Sequence, residues 1–184
     1  MTNIDPREAA SALSDIESVA RRVRQSTIYN LSSLLMIMWG VLVFAGYLAT
    51  WLSPRNAFYA WAAVYIVGIA GSIAISGSNR LRSGVRTLDY RMLVAFLLFV
   101  VFGMFCCWLG HFGPRQLGTF WPIYFMLVYT IAGLWVGQAF VAIGASIITM
   151  TLIGYFFVGD AFDLWMAVVN GGGLILGGLW MRRS

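Results

Sequence analysis

The feature that most constrains this chain is a succession of apolar stretches, each about as long as a lipid bilayer is thick, separated by short polar breaks. A hydrocarbon core about 30 Å thick needs roughly 20 helical residues at about 1.5 Å rise each. Backbone groups inside lipid must be satisfied within the segment itself, so runs of this length predict transmembrane helices. Composition agrees: 60% of residues are hydrophobic and 10% charged, against about a quarter charged in a soluble domain.

The expected fold class is an all-α integral membrane protein, with six transmembrane helices in three antiparallel hairpins preceded by a cytoplasmic amphipathic helix. The expected spans are residues 31–52, 57–76, 92–110, 120–135, 139–158 and 162–181, with an amphipathic segment at 1–30 and a tail at 182–184. Ser53, Pro54, Arg55 and Asn56 supply the first turn, and an arginine-bearing stretch after Gly77 the second. Pro114 with its flanking glycines supplies the third. Residues 120–158 run almost without polar interruption, about twice the length of one crossing, so a tight turn is expected at Trp135, Val136, Gly137 and Gln138. Gly159 and Asp160 mark the last reversal.

Near the start, Asp5 suits an N-cap, Pro6 the first helical position and Glu8 the reciprocal capping position. Ala9, Leu13, Ile16, Ala20 and Val23 form a thin apolar seam, with Glu17 four before Arg21 on the polar side. This polar opening does not match a cleavable signal, so the first span is expected to be retained.

The arginines test the span count. With six spans, ten of them (Arg7, Arg21, Arg22, Arg24, Arg80, Arg82, Arg86, Arg91, Arg182, Arg183) fall on the side of the termini and only Arg55 and Arg115 on the other. By the positive-inside rule both termini are cytoplasmic. Trp51, Trp61, Trp108, Trp121 and Trp165 fall near expected outer ends and Trp135 and Trp180 near inner ones, while Trp39 lies deeper than an interfacial belt requires. All twelve basic residues are arginine, as in a GC-rich bacterial genome, so a bacterial inner membrane is the expected location. The net charge of +5 sits in the gaps between apolar runs and reads as topology rather than as a nucleic-acid surface. An internal echo pairs AFYAWAAV at 57–64 with AFDLWMAV at 161–168, identical at five of eight positions, and Gly46-Tyr47 and Gly154-Tyr155 precede the two.

No Asp, Glu, Lys or Arg falls in the middle of an expected span. Proton-coupled carriers usually need an ionisable group there, which disfavours an ordinary proton-driven pump and leaves a passive pore or a carrier built from neutral groups. Asn170 is the strongest polar residue at membrane depth, followed by Gly171, Gly172 and Gly173. Pivoting the last hairpin at Asp160 and Ala161 sets Thr151 level with Asn170, with Thr149 and Ser146 deeper toward the cytoplasm. These residues are candidate ligand-binding groups if the helix breaks there. The plainer reading is close helix packing, with the Asn amide bonding across for about 0.6 kcal/mol.

Cys106, Cys107 and His111 form a second constellation, since thiolate and imidazole suit a soft metal. A complete site lacks a further ligand. Adjacent cysteines on a helix point about 100° apart, so no disulfide is expected between them. One histidine leaves little for acid–base chemistry or haem ligation, so neither an enzyme nor a cofactor is expected. Arg21, Arg22, Arg24, Arg80, Arg82 and Arg86 are candidate contacts for anionic lipid or an acidic partner. The expected function is thus that of a non-enzymatic interaction or regulatory membrane protein, with a small solute or ion transporter as the alternative. The expected partners are the bilayer, a cytoplasmic protein met through the N-terminal helix, and further copies of the chain.

Overall fold

The computed structural model describes residues 6–83 and 90–183; of residues 6–14, 16–28, 79–83, 90 and 92 it describes the backbone alone. The described residues are almost entirely helical and include no strand. Its helices are α1 (Pro6–Leu52), α2 (Ala57–Ser83), α3 (Tyr90–Leu109), α4 (Pro114–Val136), α5 (Gln138–Phe157) and α6 (Phe162–Arg183).

Among the described residues, five segments are long and apolar enough to cross a membrane: Tyr29–Leu52, Pro54–Ser78, Pro114–Val136, Gln138–Phe157 and Phe162–Arg183. The third expected span, residues 92–110, falls on α3. Helix α3 runs for 20 residues, as many as α5, and Leu93–Leu109 is its apolar stretch among the fully described residues. At 1.5 Å per residue α3 covers about 30 Å, close to a typical hydrocarbon core.

The amphipathic segment and the first span form one helix of 47 residues, about 70 Å long. Residues 25–31 hold no glycine or proline, so nothing in the backbone breaks the helix where the composition changes. It ends at Ser53, which Pro54 forces out of the helical region (φ −147°, ψ 78°). α4 begins earlier than its apolar composition, at Pro114 in the first turn, where the Gln116 side chain accepts from the Gly113 backbone N–H at 2.7 Å. α4 and α5 are joined through Gly137 alone, whose φ of 157° and ψ of 152° belong to a region almost reserved for glycine.

Helices α1, α4, α5 and α6 share the core. Met36, Met126, Phe140, Ile143, Ile147, Leu174 and Met181 form one buried cluster, and Tyr47, Phe162, Met166 and Ala167 a second. Lipid tails are as apolar as these side chains, so dispersion between closely approaching backbones has to hold the helices together. Glycines allow the approach. A Cβ on Gly40 would come within 2.8 Å of the Gly171 carbonyl oxygen, and one on Gly178 within 2.9 Å of the Ser33 oxygen. Ser33 Oγ donates to the Gly178 carbonyl at 2.7 Å along the same seam.

α2 leans on α1, where Trp39 packs over Gly68 and its indole N–H donates to Ser72 Oγ at 3.0 Å. That partner explains why Trp39 sits deeper than an interfacial tryptophan. α3 touches α4 through aromatic rings: Phe99 stacks on Tyr124 at 3.9 Å, and Gly103 accommodates Trp121. The remaining surfaces of α2 and α3 expose Ile66, Ile69, Ile73, Leu98, Phe102 and Phe105. Such a continuous apolar surface is untenable in water and ordinary against lipid.

The internal echo has a structural counterpart. Trp61 packs on Gly46 and donates to Thr50 Oγ1 at 3.1 Å, while Trp165 packs on Gly154 and donates to the Met150 carbonyl at 2.9 Å. In both hairpins the first turn of the second helix sets its tryptophan against a glycine of the preceding helix.

Candidate functional site

The glycine run of α6 does not unwind. Ala167–Gly172 forms a π-helical turn between the α-helical pieces Phe162–Met166 and Gly173–Arg183. Three consecutive glycines lower α-helix propensity by about 1 kcal/mol each, and the wider turn keeps Met166, Ala167, Asn170 and Gly171 all buried. A π turn inside an α-helix often marks a functional position.

Asn170 is 3% exposed and Thr151 fully buried. The Asn170 Nδ2 donates to Thr151 Oγ1 at 3.3 Å and faces the Met166 sulfur at 3.5 Å. The contact to Thr151 is long for an N–H···O bond. Gly171 is closed off by α1, since a Cβ there would lie 2.4 Å from the Phe44 Cβ. Gly173 faces Ile147, and Gly172 faces open space.

The other two hydroxyls lie elsewhere. Thr149 is exposed and returns its hydroxyl to the Ala145 carbonyl at 2.9 Å. Two residues of helix separate it from Thr151, a rotation of about 200°, so the two threonines occupy opposite faces. Ser146 is also exposed. It lines a groove of about 280 Å³ with Ala142, Gly173, Leu176, Gly177 and Trp180, whose inner wall is Ile143 and Ile147. The expected polar patch is therefore a buried Asn170–Thr151 pair beside a separate, mainly apolar groove.

Cys106 and Cys107 are half-buried free thiols. α3 stops before His111, which takes the left-handed conformation at φ 48°. Its N–H bonds to the Trp108 carbonyl at 3.3 Å and that of Phe112 to the Cys107 carbonyl at 3.2 Å, the paired bonds of a Schellman helix end. His111 is thus rotated off the helix face that carries Cys107. Among the described residues no three His, Cys, Asp or Glu side chains gather closely enough to hold a metal ion. Of the candidate contact arginines, Arg21, Arg22, Arg24, Arg80 and Arg82 are described by backbone only, and Arg86 lies outside the described residues.

The sequence did not single out the cluster around Arg115. From the first turn of α4, its guanidinium donates to the carbonyls of Tyr155 at 2.8 Å, Gly159 at 3.3 Å and Gly154 at 3.4 Å, and also to that of Val158. Of these, the Tyr155 carbonyl belongs to the last turn of α5, while those of Gly154 and Gly159 also accept from the Val158 and Phe162 backbone N–H groups. The same group lies over the Phe162 ring at 4.7 Å and the Tyr155 ring at 5.7 Å, and its charge acts on Asp163. Nearby, the buried Tyr47 hydroxyl donates to the Gly118 carbonyl at 2.6 Å, and the Tyr47 ring meets Trp61 edge-on at 4.9 Å. α1, α2, α4, α5 and α6 therefore meet at one end of the molecule through a polar and aromatic knot, which supplies rigidity rather than an open site.

No family model, curated protein or solved structure matches this chain.

Proposed function

We propose that this chain is a six-span protein of a bacterial inner membrane, with both termini in the cytoplasm, acting as a non-enzymatic interaction or regulatory protein. In this reading α3, with the same 20 residues as α5, is the sixth crossing. The arginine split and the single-residue turn at Gly137 support the count. Reporters fused within residues 84–89 and after Ser184 should both report the cytoplasm; a periplasmic signal from either overturns the topology.

The observation that carries the functional reading is the continuity of α1. One unbroken helix links the polar, arginine-bearing N-terminal segment to the core, where it packs against α2 and α6. A partner bound to the first turns would be coupled mechanically to the bundle. Deleting residues 1–28 should abolish co-purification of that partner from mild detergent while leaving the remaining bundle folded. Retention of the same partner by the truncated protein would refute docking at this helix.

A second reading, a small solute or ion transporter centred on Asn170, is favoured by the π turn around that buried amide. Against it, Gly171 and Gly173 are occupied by packing contacts. Asn170→Leu protein that folds should show unchanged flux in proteoliposomes if packing is the role, and lost flux if transport is.

A further inference from the structure

We propose that the groove between α5 and the C-terminal half of α6 holds one acyl chain of an anionic phospholipid whose headgroup is met by Arg182 and Arg183. The groove runs beside the seam where Gly173 and Gly177 let α6 pack closely against Ile147 and Ile143. On the α6 side it is bounded by Gly173, Leu176, Gly177 and Trp180, a spacing that keeps all four on one helical stripe. Arg183 follows Trp180 by three and continues that stripe, and Arg182 and Arg183 are both exposed. From Gly173 to Arg183 the helix rises about 15 Å, half of a hydrocarbon core about 30 Å thick. The groove thus spans one leaflet, from mid-membrane to the interface.

Along that length the chemistry changes in the order a phospholipid requires: small apolar lining, then an indole, then two guanidinium groups. Arginine pairs with phosphate through two parallel N–H donors. The nearest carboxylates along α6, Asp160 and Asp163, are at its opposite end. A second copy of the chain seated in the groove about a two-fold axis along the membrane normal would bring its own Arg182 and Arg183 to the same end, setting like charges together. A lipid with a negative headgroup neutralises them instead. The proposal rests on the chain lying in a membrane and is independent of partner docking at the N-terminal helix.

Native mass spectrometry of the full chain in mild detergent, with phosphatidylglycerol or phosphatidylcholine added at equal concentration, tests it. The wild type should retain phosphatidylglycerol about tenfold more than phosphatidylcholine. The Arg182→Gln/Arg183→Gln protein should retain the two equally. Ala142→Phe, at an exposed position on the α5 wall, should fill the groove and remove both adducts at unchanged melting temperature; Ser146→Phe serves the same purpose should Ala142→Phe not fold. Equal retention by the wild type, a phosphatidylglycerol preference that survives the arginine change, or adducts that survive the groove-filling change, overturns the proposal. So does a wild-type dimer that Ala142→Phe converts to monomer with lipid adducts unaltered, which would assign the groove to a second copy.

Discussion

The Tyr47 hydroxyl donates to the Gly118 carbonyl, the one acceptor in α4 that Pro122 deprives of its helical donor. A proline inside a helix has no N–H for the carbonyl four residues earlier. Here that carbonyl turns to α1, and a Cβ on Gly118 would itself stand only in ordinary contact, 3.7 Å, with the Tyr47 ring. Tyr47→Phe should therefore leave a buried acceptor unpaired and cost about 1–3 kcal/mol. In a Pro122→Ala background the backbone N–H regained at that position restores the helical bond, and the same change should cost well under about 1 kcal/mol. Thermal melting of the four proteins in detergent gives the coupling directly; additive losses would show that the two residues act independently.

Gly171 and Gly172 are adjacent and should respond in opposite ways to alanine. A Cβ at Gly171 meets the α1 backbone at Phe44, whereas one at Gly172 meets nothing within 4 Å. Gly171→Ala should destabilise by about 1–3 kcal/mol through overpacking. Gly172→Ala should be neutral or stabilise by up to about 1 kcal/mol as glycine leaves a helix. Similar melting shifts for the two would contradict the close α1–α6 seam.

The contrast shows which parts of the architecture a linear reading reaches. Long apolar helices are legible because length and hydropathy are one-dimensional properties, and the break at Gly137 because no single helix needs about forty apolar residues to cross once. The pairing of Thr151 with Asn170 follows from counting residues away from a turn, but azimuth does not: depth alone grouped Thr149 and Ser146 with them, although helical rotation sends these outward. The continuity of α1 was hidden because composition changes near residue 30 while helix propensity does not. Arg115 was hidden for another reason. In sequence it is a loop charge, and its acceptors lie far along the chain on another helix. Pro122 was the available signal for Tyr47, since a proline within a span implies an orphan carbonyl and hence a donor to look for.

Arg115 should matter for its shape as well as its charge. Its several donors reach four carbonyls at the end of α5, where a cation also opposes the helix dipole. Arg115→Gln should lower stability by about 1–2 kcal/mol. Arg115→Lys, which keeps the charge and loses the planar fork, should fall between that variant and the wild type. A lysine variant as stable as the wild type would reduce the role to charge alone.

His111 occupies the left-handed position that ends α3, where glycine is the usual residue. His111→Gly should raise stability by about 1 kcal/mol by removing the Cβ penalty of that conformation. A metal-binding role predicts the reverse, lost metal together with lost stability. Elemental analysis alongside the melting curve separates the two.

Gly137 carries the whole reversal between α4 and α5. Its N–H bonds to the Gly133 carbonyl and its own carbonyl accepts from Phe140, so one residue both ends one helix and starts the next. Side chains are strained at φ 157° with ψ 152°, and such strain costs about 1–3 kcal/mol. Gly137→Ala should lower the melting temperature accordingly, while Gln138→Ala, one residue later inside α5, should not. Gly133 should also resist substitution, because a Cβ there would come within 2.6 Å of the Val141 nitrogen. If Gly137→Ala proved neutral, the tight turn would be wrong, and with it the assignment of residues 114–157 to two antiparallel helices.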